Sequence, residues 1–172
     1  MQIATLRSQM TSDTALQLLL DRQEIQDVIA RYALGQDAHQ GDDSNVLEQW
    51  DEVFAPEGTT DYSAAGAPVC TYRELAVWMR GEHGRAGRMS GFSNWQHMLG
   101  LPLITVEGDR ARARTDFFAT HRGRPAWMDC HFNSSGAFHD ELIRTDRGWR
   151  IGHRRLEVYF ADPLPVMPVA TP

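Results

Sequence analysis

The sequence predicts an α+β fold in which N-terminal helices are wrapped by a strongly curved, mixed or antiparallel sheet. Two observations carry this prediction. Apolar residues recur at three- and four-residue steps near the N-terminus, and strict two-residue alternation dominates the second half of the chain. A curved sheet closed by helices forms a cone with an internal pocket, which is a natural site for a small molecule.

Three helices are expected in the first half of the chain. The first ends at Gly35, a plausible C-cap, and the second runs from Ser44 until the segment 55–58 stops it. A capping box at Thr71–Glu74 opens the third helix, and the segment 81–91 is expected to be a loop. The apolar stripe of the first helix comprises Leu16, Leu19, Leu20, Ile25, Val28, Ile29 and Tyr32.

A short strand at 59–62 precedes the third helix, and four antiparallel strands are expected after it. The four strands cover 101–107, 110–122, 130–145 and 149–160. Along 110–122, small apolar residues and His121 share one parity, whereas Arg110, Arg112 and Arg114 share the other. The first set is therefore expected to face the interior.

Length and composition limit the classes of protein. The 172 residues fit one domain, which we place at 13–161 between a flexible arm at 1–12 and a proline-rich tail at 162–172 that could form a lid. The net charge of −6 argues against a general nucleic-acid or membrane partner. The two cysteines lack zinc-site spacing and favour a reducing compartment, so the cytoplasm is expected. Motifs for nucleotide or metal cofactors are absent from the sequence, so no cofactor and no metal are predicted.

Histidines and a carboxylate are the candidates for chemistry, because imidazoles titrate near neutral pH and are common general bases. His97 lies between aromatic and apolar neighbours, and His121 has inward parity. Asp37 follows the first helix, and Tyr32 continues the apolar stripe, so its hydroxyl needs a buried partner. Taken singly and on spacing alone, these positions favour core or rim histidines, a capping aspartate and a packing role for Tyr62.

Two longer motifs resemble a known family. The opening LLLDRQEIQDVIARY at 18–32 and the ending DRGWRIGHRRLE at 146–157 look like the SnoaL-like branch of the nuclear-transport-factor-type cone superfamily. The resemblance covers about residues 16–161. The superfamily includes dehydratases, isomerases, cyclases, epoxide hydrolases and non-catalytic subunits, so the motifs identify a fold better than an activity.

Within the superfamily, the chain looks most like scytalone dehydratases and bile-acid dehydratases. The matching positions are Ala55-Pro56, Asp61-Tyr62, Gln96-His97, His121 and Asp37, with Tyr32 five residues before Asp37 as in the bile-acid enzymes. The chain departs from scytalone dehydratases at Gln36, where they have tyrosine, and near Gly136 and Phe138, where they have serine and asparagine. These departures concern positions expected to contact the substrate rather than the acid/base centre.

The resemblance implies a cofactor-independent dehydratase that acts through an enolate on a hydrophobic cyclic or polyketide-like hydroxy-carbonyl substrate. The imidazoles of His97 and His121 would move protons, Asp37 would orient one of them, and Tyr62 and Tyr32 would hold the substrate oxygen. The aromatic and sulfur-containing residues expected to line the pocket are Trp50, Trp95, Met98, Phe117 and Phe138.

Other activities fit the same resemblance. A polyketide cyclase or a ketosteroid-isomerase-type enzyme would use the same enolate chemistry, and a non-catalytic cone would bind a ligand or assemble with an oxygenase subunit. Homodimers or homotrimers are expected, because the open sheet face of such cones usually pairs.

Overall fold

A computed structural model describes residues 11–38, 46–82, 85–125 and 128–164. Most of the predicted arm at 1–12 and of the predicted tail at 162–172 therefore lies outside the described residues. None of the helices in the described ranges is long and apolar enough to cross a membrane.

The first helix, α1 (Ser12–Ala38), continues past Gly35, so the predicted C-cap is wrong. Gly35 instead allows close packing against the second helix, α2 (Val46–Trp50). A Cβ atom at Gly35 would lie 2.9 Å from Gln49 Oε1 and 3.2 Å from Gln49 Cβ. The extension places Asp37 in the last turn of α1, where the helix fixes its direction.

The apolar stripe of α1 is buried only in its second part. Ile25, Val28, Ile29 and Tyr32 are buried, whereas the three leucines before them are more than half exposed. The expectation that the whole stripe packs inward is therefore wrong for Leu16, Leu19 and Leu20.

The first strand, β1 (Phe54–Asp61), begins five residues earlier than predicted. Phe54 does not continue α2, because the chain turns at 51–53 and Val53 O accepts from Ile151 N at 2.9 Å. Pro56 does not end the strand, because the pairing with the last strand is irregular between Phe54 and Thr59. A proline lacks the amide hydrogen of a regular ladder and is tolerated at such an irregularity.

A short 3-10 helix (Ser63–Ala65) and strand β2 (Val69–Thr71) lead to helix α3 (Tyr72–Arg80). The predicted capping box is confirmed, since the Thr71 side chain accepts from Glu74 N and the Glu74 side chain accepts from Thr71 N. The segment expected to be a loop carries two short antiparallel strands, β3 (Gly81–Glu82) and β4 (Arg85–Ala86).

The remaining strands are β5 (Phe92–Leu99), β6 (Leu103–Glu107), β7 (Arg110–Gly123), β8 (His131–Thr145) and β9 (Gly148–Ala161). They join β1 and β2 in one seven-stranded sheet of order β2-β1-β9-β8-β7-β5, in which β6 also pairs with β7. The β1–β9 pair is parallel and the other pairs are antiparallel. Sequence analysis had not identified β5 as a strand, although it carries His97.

The predicted α+β architecture is confirmed. The alternation along β7 is also confirmed, because Ala111, Ala113, Thr115, Phe117 and His121 are buried, whereas the arginines between them are exposed. The apolar core lies between this inner sheet face and helices α1 and α3. Inward-facing positions of β5 and β7 therefore point toward the end of α1.

Candidate active site

Asp37 and His97 form a dyad where the last turn of α1 meets β5. Asp37 Oδ2 accepts from the backbone N–H of His97 at 2.8 Å, and Oδ1 lies 2.7 Å from His97 Nδ1. A carboxylate accepts hydrogen bonds, so Nδ1 carries a proton and Nε2 is the nitrogen that faces away from the carboxylate. The His97 side chain is 7% exposed and that of Asp37 is 19% exposed, so the dyad is largely shielded from solvent.

His121 lies beside this dyad on the inner face of β7. The strand register places Trp95 opposite His121 and His97 opposite Ala119. The two imidazole centroids are 5.7 Å apart and the rings are nearly perpendicular. The His121 Nδ1–H donates to the carbonyl oxygen of Phe132 at 3.1 Å, because a carbonyl can only accept.

Aromatic rings enclose His121. The ring centroids of Trp95, Phe132 and Phe92 lie 5.0, 5.3 and 5.7 Å from that of His121. Burial, reinforced by the neighbouring His97 imidazole, lowers the pKa of His121 to about 4. His121 is therefore uncharged at neutral pH.

Tyr32 and Tyr62 form a second polar group in the interior. Their hydroxyl groups share a hydrogen bond, and both side chains are buried. Burial raises the pKa of both tyrosines above the ordinary value, so both remain protonated. In such a pair one hydroxyl hydrogen is used between the rings, and the other can be donated elsewhere.

Arg154 adds a buried cation to the tyrosines. Its Nε and Nη2 donate to Asp140 at 2.6 and 2.7 Å, and both side chains have no exposed surface. The guanidinium lies 4.0 Å from the ring centre of Tyr32 and 4.4 Å from that of Phe138. Its third nitrogen, Nη1, has no hydrogen-bond partner among the described residues.

Arg154 and Asp140 were missed by sequence analysis. The available signal was parity, because Arg154 shares the inward side of β9 with Leu156. Register shifts between Glu141 and Leu142 weaken that signal, since alternation is interrupted near the pair.

Four of the five predicted lining residues lie in the interior, near the imidazoles or near the tyrosine pair, and the fifth is exposed. Trp95 packs beside the imidazoles, whereas Trp50 stacks on Tyr32 at 4.9 Å between ring centroids. Phe117 stacks on Phe138 at 4.6 Å. Met98 is 53% exposed on the opposite face of β5 from Trp95 and His97, so it does not join them.

Phe117 lies between the imidazole and tyrosine groups. It precedes His121 by four residues on the same inner face, which is roughly 13 Å along an extended strand. The structure thus brings Asp37, His97 and His121 together and joins Tyr32 with Tyr62, as two groups separated by this aromatic surface.

Two hollows are found elsewhere on the described surface. One, of about 820 Å³, lies between α3 and the β3–β4 strands and is lined by Trp78, Arg85 and Arg88. The other, of about 300 Å³, lies on the sheet beside His139 and His153. The imidazoles of His97 and His121 line neither hollow. Over the residues that the structure describes, no group of three or more His, Cys, Asp or Glu side chains could hold a metal ion.

Comparison with known families and sequences gives two findings. The SnoaL-like domain family matches residues 17–155. An uncharacterised protein of Mycobacterium tuberculosis is 30% identical over 139 residues, covering 78% of this chain and 82% of that protein.

Solved structures share the fold at low sequence identity. A protein from Kribbella flavida has a TM-score of 0.69 at 21% identity, covering 84% of this chain and 95% of its own. A hexachlorocyclohexane dehydrochlorinase from Novosphingobium barchaimii has a TM-score of 0.66 at 15% sequence identity, and the match covers 92% of this chain and 99% of that protein. A protein from Novosphingobium aromaticivorans that is provisionally named as a scytalone dehydratase has a TM-score of 0.64 at 19% sequence identity. That match covers 94% of this chain and 99% of the other.

Proposed function

This chain belongs to the SnoaL-like family, and from that premise we propose that it is a cofactor-independent dehydratase. The proposed substrate is a hydrophobic cyclic hydroxy ketone that loses water through an enolate. The Asp37–His97 dyad is the observation that carries the proposal, because a shielded imidazole with a fixed tautomer suits general base catalysis.

His97 is the proposed base. Asp37 contacts both the backbone N–H and Nδ1 of His97, so the ring is held in one orientation with Nε2 directed away from the carboxylate. The carboxylate also stabilises the imidazolium that forms when Nε2 accepts a proton. His121 is a weaker candidate for the base, because its lowered pKa opposes protonation.

Tyr32, Tyr62 and Arg154 are proposed to stabilise the enolate oxygen. The tyrosine pair has one hydroxyl hydrogen to donate, and Arg154 Nη1 is an unused donor on a fully buried cation. Preorganised donors in a dry site favour the negative charge that develops on a carbonyl oxygen. The substrate would lie between these donors and the dyad, over the ring of Phe117.

The proposed elimination conserves protons. His97 Nε2 removes the hydrogen on the carbon next to the carbonyl, and the electrons of that C–H bond move to the carbonyl oxygen. The enolate then expels the hydroxyl on the neighbouring carbon, and the imidazolium of His97 returns the proton to it. Water and an unsaturated ketone are the products.

Names of structural neighbours support an elimination reaction. One solved neighbour is named for dehydrochlorination and another, provisionally, for scytalone dehydration. Both names describe loss of a small molecule from neighbouring carbon atoms. A cyclase or isomerase would use the same dyad without losing water, so the mass of the product separates these alternatives.

The test is turnover of fused-ring β-hydroxy ketones, followed by mass spectrometry. We expect the wild-type protein to give a product lighter by one water, and His97→Gln and Asp37→Asn to lower kcat by about 100-fold or more. His139→Gln is the matched control, because His139 lies on the outer sheet face against Glu157 and should leave turnover unchanged. Full turnover by both dyad variants would refute the proposal.

We also propose a homodimer or homotrimer in the reducing cytoplasm. Cys70 and Cys130 are free thiols, which fits that compartment. The outer sheet face and its margin expose Met98, Leu101 and Leu103, which fits burial against a second copy. Light scattering should give a mass of two or three chains, and a monomer at micromolar concentration would contradict this assembly.

A further inference from the structure

Thr115 carries a buried hydroxyl group that the fold leaves without a partner. The residue lies on the inner face of β7, between Ala113 and Phe117, and has no exposed surface. Its Oγ1 makes no hydrogen bond to any of the described residues. Burying a hydroxyl group without a partner is unfavourable, so the fold itself gains nothing from this one.

Thr60 shows how the fold treats a comparable residue. It is also fully buried, and its Oγ1 donates to the carbonyl oxygen of Cys70 at 3.2 Å. Valine has the shape of threonine without the hydroxyl group, so it would fill the position of Thr115 without the loss of a hydrogen bond. A threonine at this position therefore indicates a partner that comes from outside the chain.

The strand register places Thr115 beside the donors of the tyrosine group. Thr115 pairs directly with Phe138 of β8, so the two side chains are neighbours on the inner face. The Arg154 guanidinium lies 4.4 Å from the centre of the Phe138 ring, and the Tyr32 ring lies 5.5 Å away between centroids. Thr115, Arg154 and Tyr32 therefore border the same ring.

Hydrogen-bond donors dominate this end of the site. Arg154 Nη1 has no partner among the described residues, and Tyr32 and Tyr62 have one hydroxyl hydrogen left for a further acceptor. The group that fits several donors is an acceptor oxygen, such as that of a ketone. The Thr115 hydroxyl group can donate as well, and an oxygen that gains negative charge is stabilised by each added donor.

We infer that Thr115 is a further catalytic residue, whose hydroxyl group donates a hydrogen bond to the ketone oxygen of the substrate as that oxygen becomes an enolate. This inference rests on the proposed function, since it adds one donor to the oxygen that the tyrosines and Arg154 are proposed to bind. Thr115 transfers no proton, and it acts by holding the oxygen and stabilising its negative charge. In this role the hydroxyl group serves the ligand, although its burial lowers the stability of the fold.

Binding of enol analogues tests this role without turnover. 1-Naphthol carries its oxygen where the enol of 1-tetralone does, and 1-methylnaphthalene has a methyl group of similar size in its place. We expect calorimetry to show that the wild-type protein binds 1-naphthol about 10-fold more tightly than 1-methylnaphthalene, and that Thr115→Val reduces this preference about 5-fold. Thr115→Ser keeps a hydroxyl group and should keep the preference.

Thermal unfolding separates a ligand-binding role from a structural one. Thr115→Val should leave the melting temperature unchanged or raise it by up to about 4 °C, because the fold loses no hydrogen bond. Thr60→Val is the matched control and should lower the melting temperature by about 2–4 °C, because it removes the hydrogen bond to Cys70.

Four results would each overturn the inference. They are no preference for 1-naphthol in the wild type, an unchanged preference in Thr115→Val, a preference lost in Thr115→Ser, and a melting temperature that falls as far in Thr115→Val as in Thr60→Val.

Failure of the proposed function has a different signature. The base chemistry is read from deuterium exchange at the carbon next to the carbonyl of 1-tetralone, which carries no leaving group. Thr115→Val should slow this exchange by about 10-fold or more. Exchange that slows in Asp37→Asn but not in Thr115→Val would overturn the role of Thr115 and leave the base intact. A preference for 1-naphthol that depends on Thr115, without any exchange by the wild type, would support Thr115 as an oxygen donor and refute the dyad as a base.

Discussion

Acidification should destabilise the protein through His121. The folded-state pKa is about 4 against the ordinary value of 6.5, so between these pH values the unfolded chain binds a proton that the folded chain does not. Stability must therefore fall as the pH falls through this window. The shift corresponds to a loss of about 2 kcal/mol between pH 7 and pH 5, and about 3 kcal/mol once the pH is below 4.

Urea unfolding at pH 7 and pH 5 measures this contribution. Other groups also titrate, so the informative quantity is the change in unfolding free energy of the wild-type protein minus that of His121→Phe. We expect the wild-type protein to lose about 2 kcal/mol more than the variant. Equal losses in the wild type and His121→Phe would refute the burial argument.

Two further substitutions test the interior packing. Asp140→Asn should lower the unfolding free energy by about 3–5 kcal/mol, because it leaves the Arg154 cation buried without its counter-ion. Urea titration measures this loss. A loss below about 1 kcal/mol would contradict the importance of the buried pair. Gly136→Ala should lower stability by about 2–3 kcal/mol, because its Cβ atom would lie 1.8 Å from the carbonyl oxygen of Glu157. Gly152→Ala is the control: its Cβ atom would meet nothing closer than 3.6 Å, so stability should change by less than about 0.5 kcal/mol. Equal shifts in melting temperature for the two variants would contradict this packing.

The sequence predicted the fold class and the capping box because both depend on local patterns. Alternation along β7 correctly placed His121 inside, and the Thr71–Glu74 spacing correctly started α3. The residues at which helices and strands end were harder to predict than the elements themselves. Gly35 looked like a C-cap, yet its lack of a Cβ serves contact with Gln49, which is a tertiary requirement.

Several residues of the candidate site could be predicted from the sequence, but the contacts that join the buried charges could not. The resemblance selected Asp37, His97 and His121, and the fold places them in contact. Arg154 escaped attention because a charged residue in a basic segment normally faces solvent. Its burial depends on Asp140 of the neighbouring strand, and that pairing is set by the sheet register rather than by sequence spacing.

Deuterium exchange into 1-tetralone tests the Asp37–His97 base most directly, because it reports proton removal without requiring the natural substrate or a leaving group. We expect the wild-type protein to catalyse exchange next to the carbonyl, and Asp37→Asn and His97→Gln each to slow it by about 100-fold. Exchange by the wild type no faster than by His97→Gln would contradict the account.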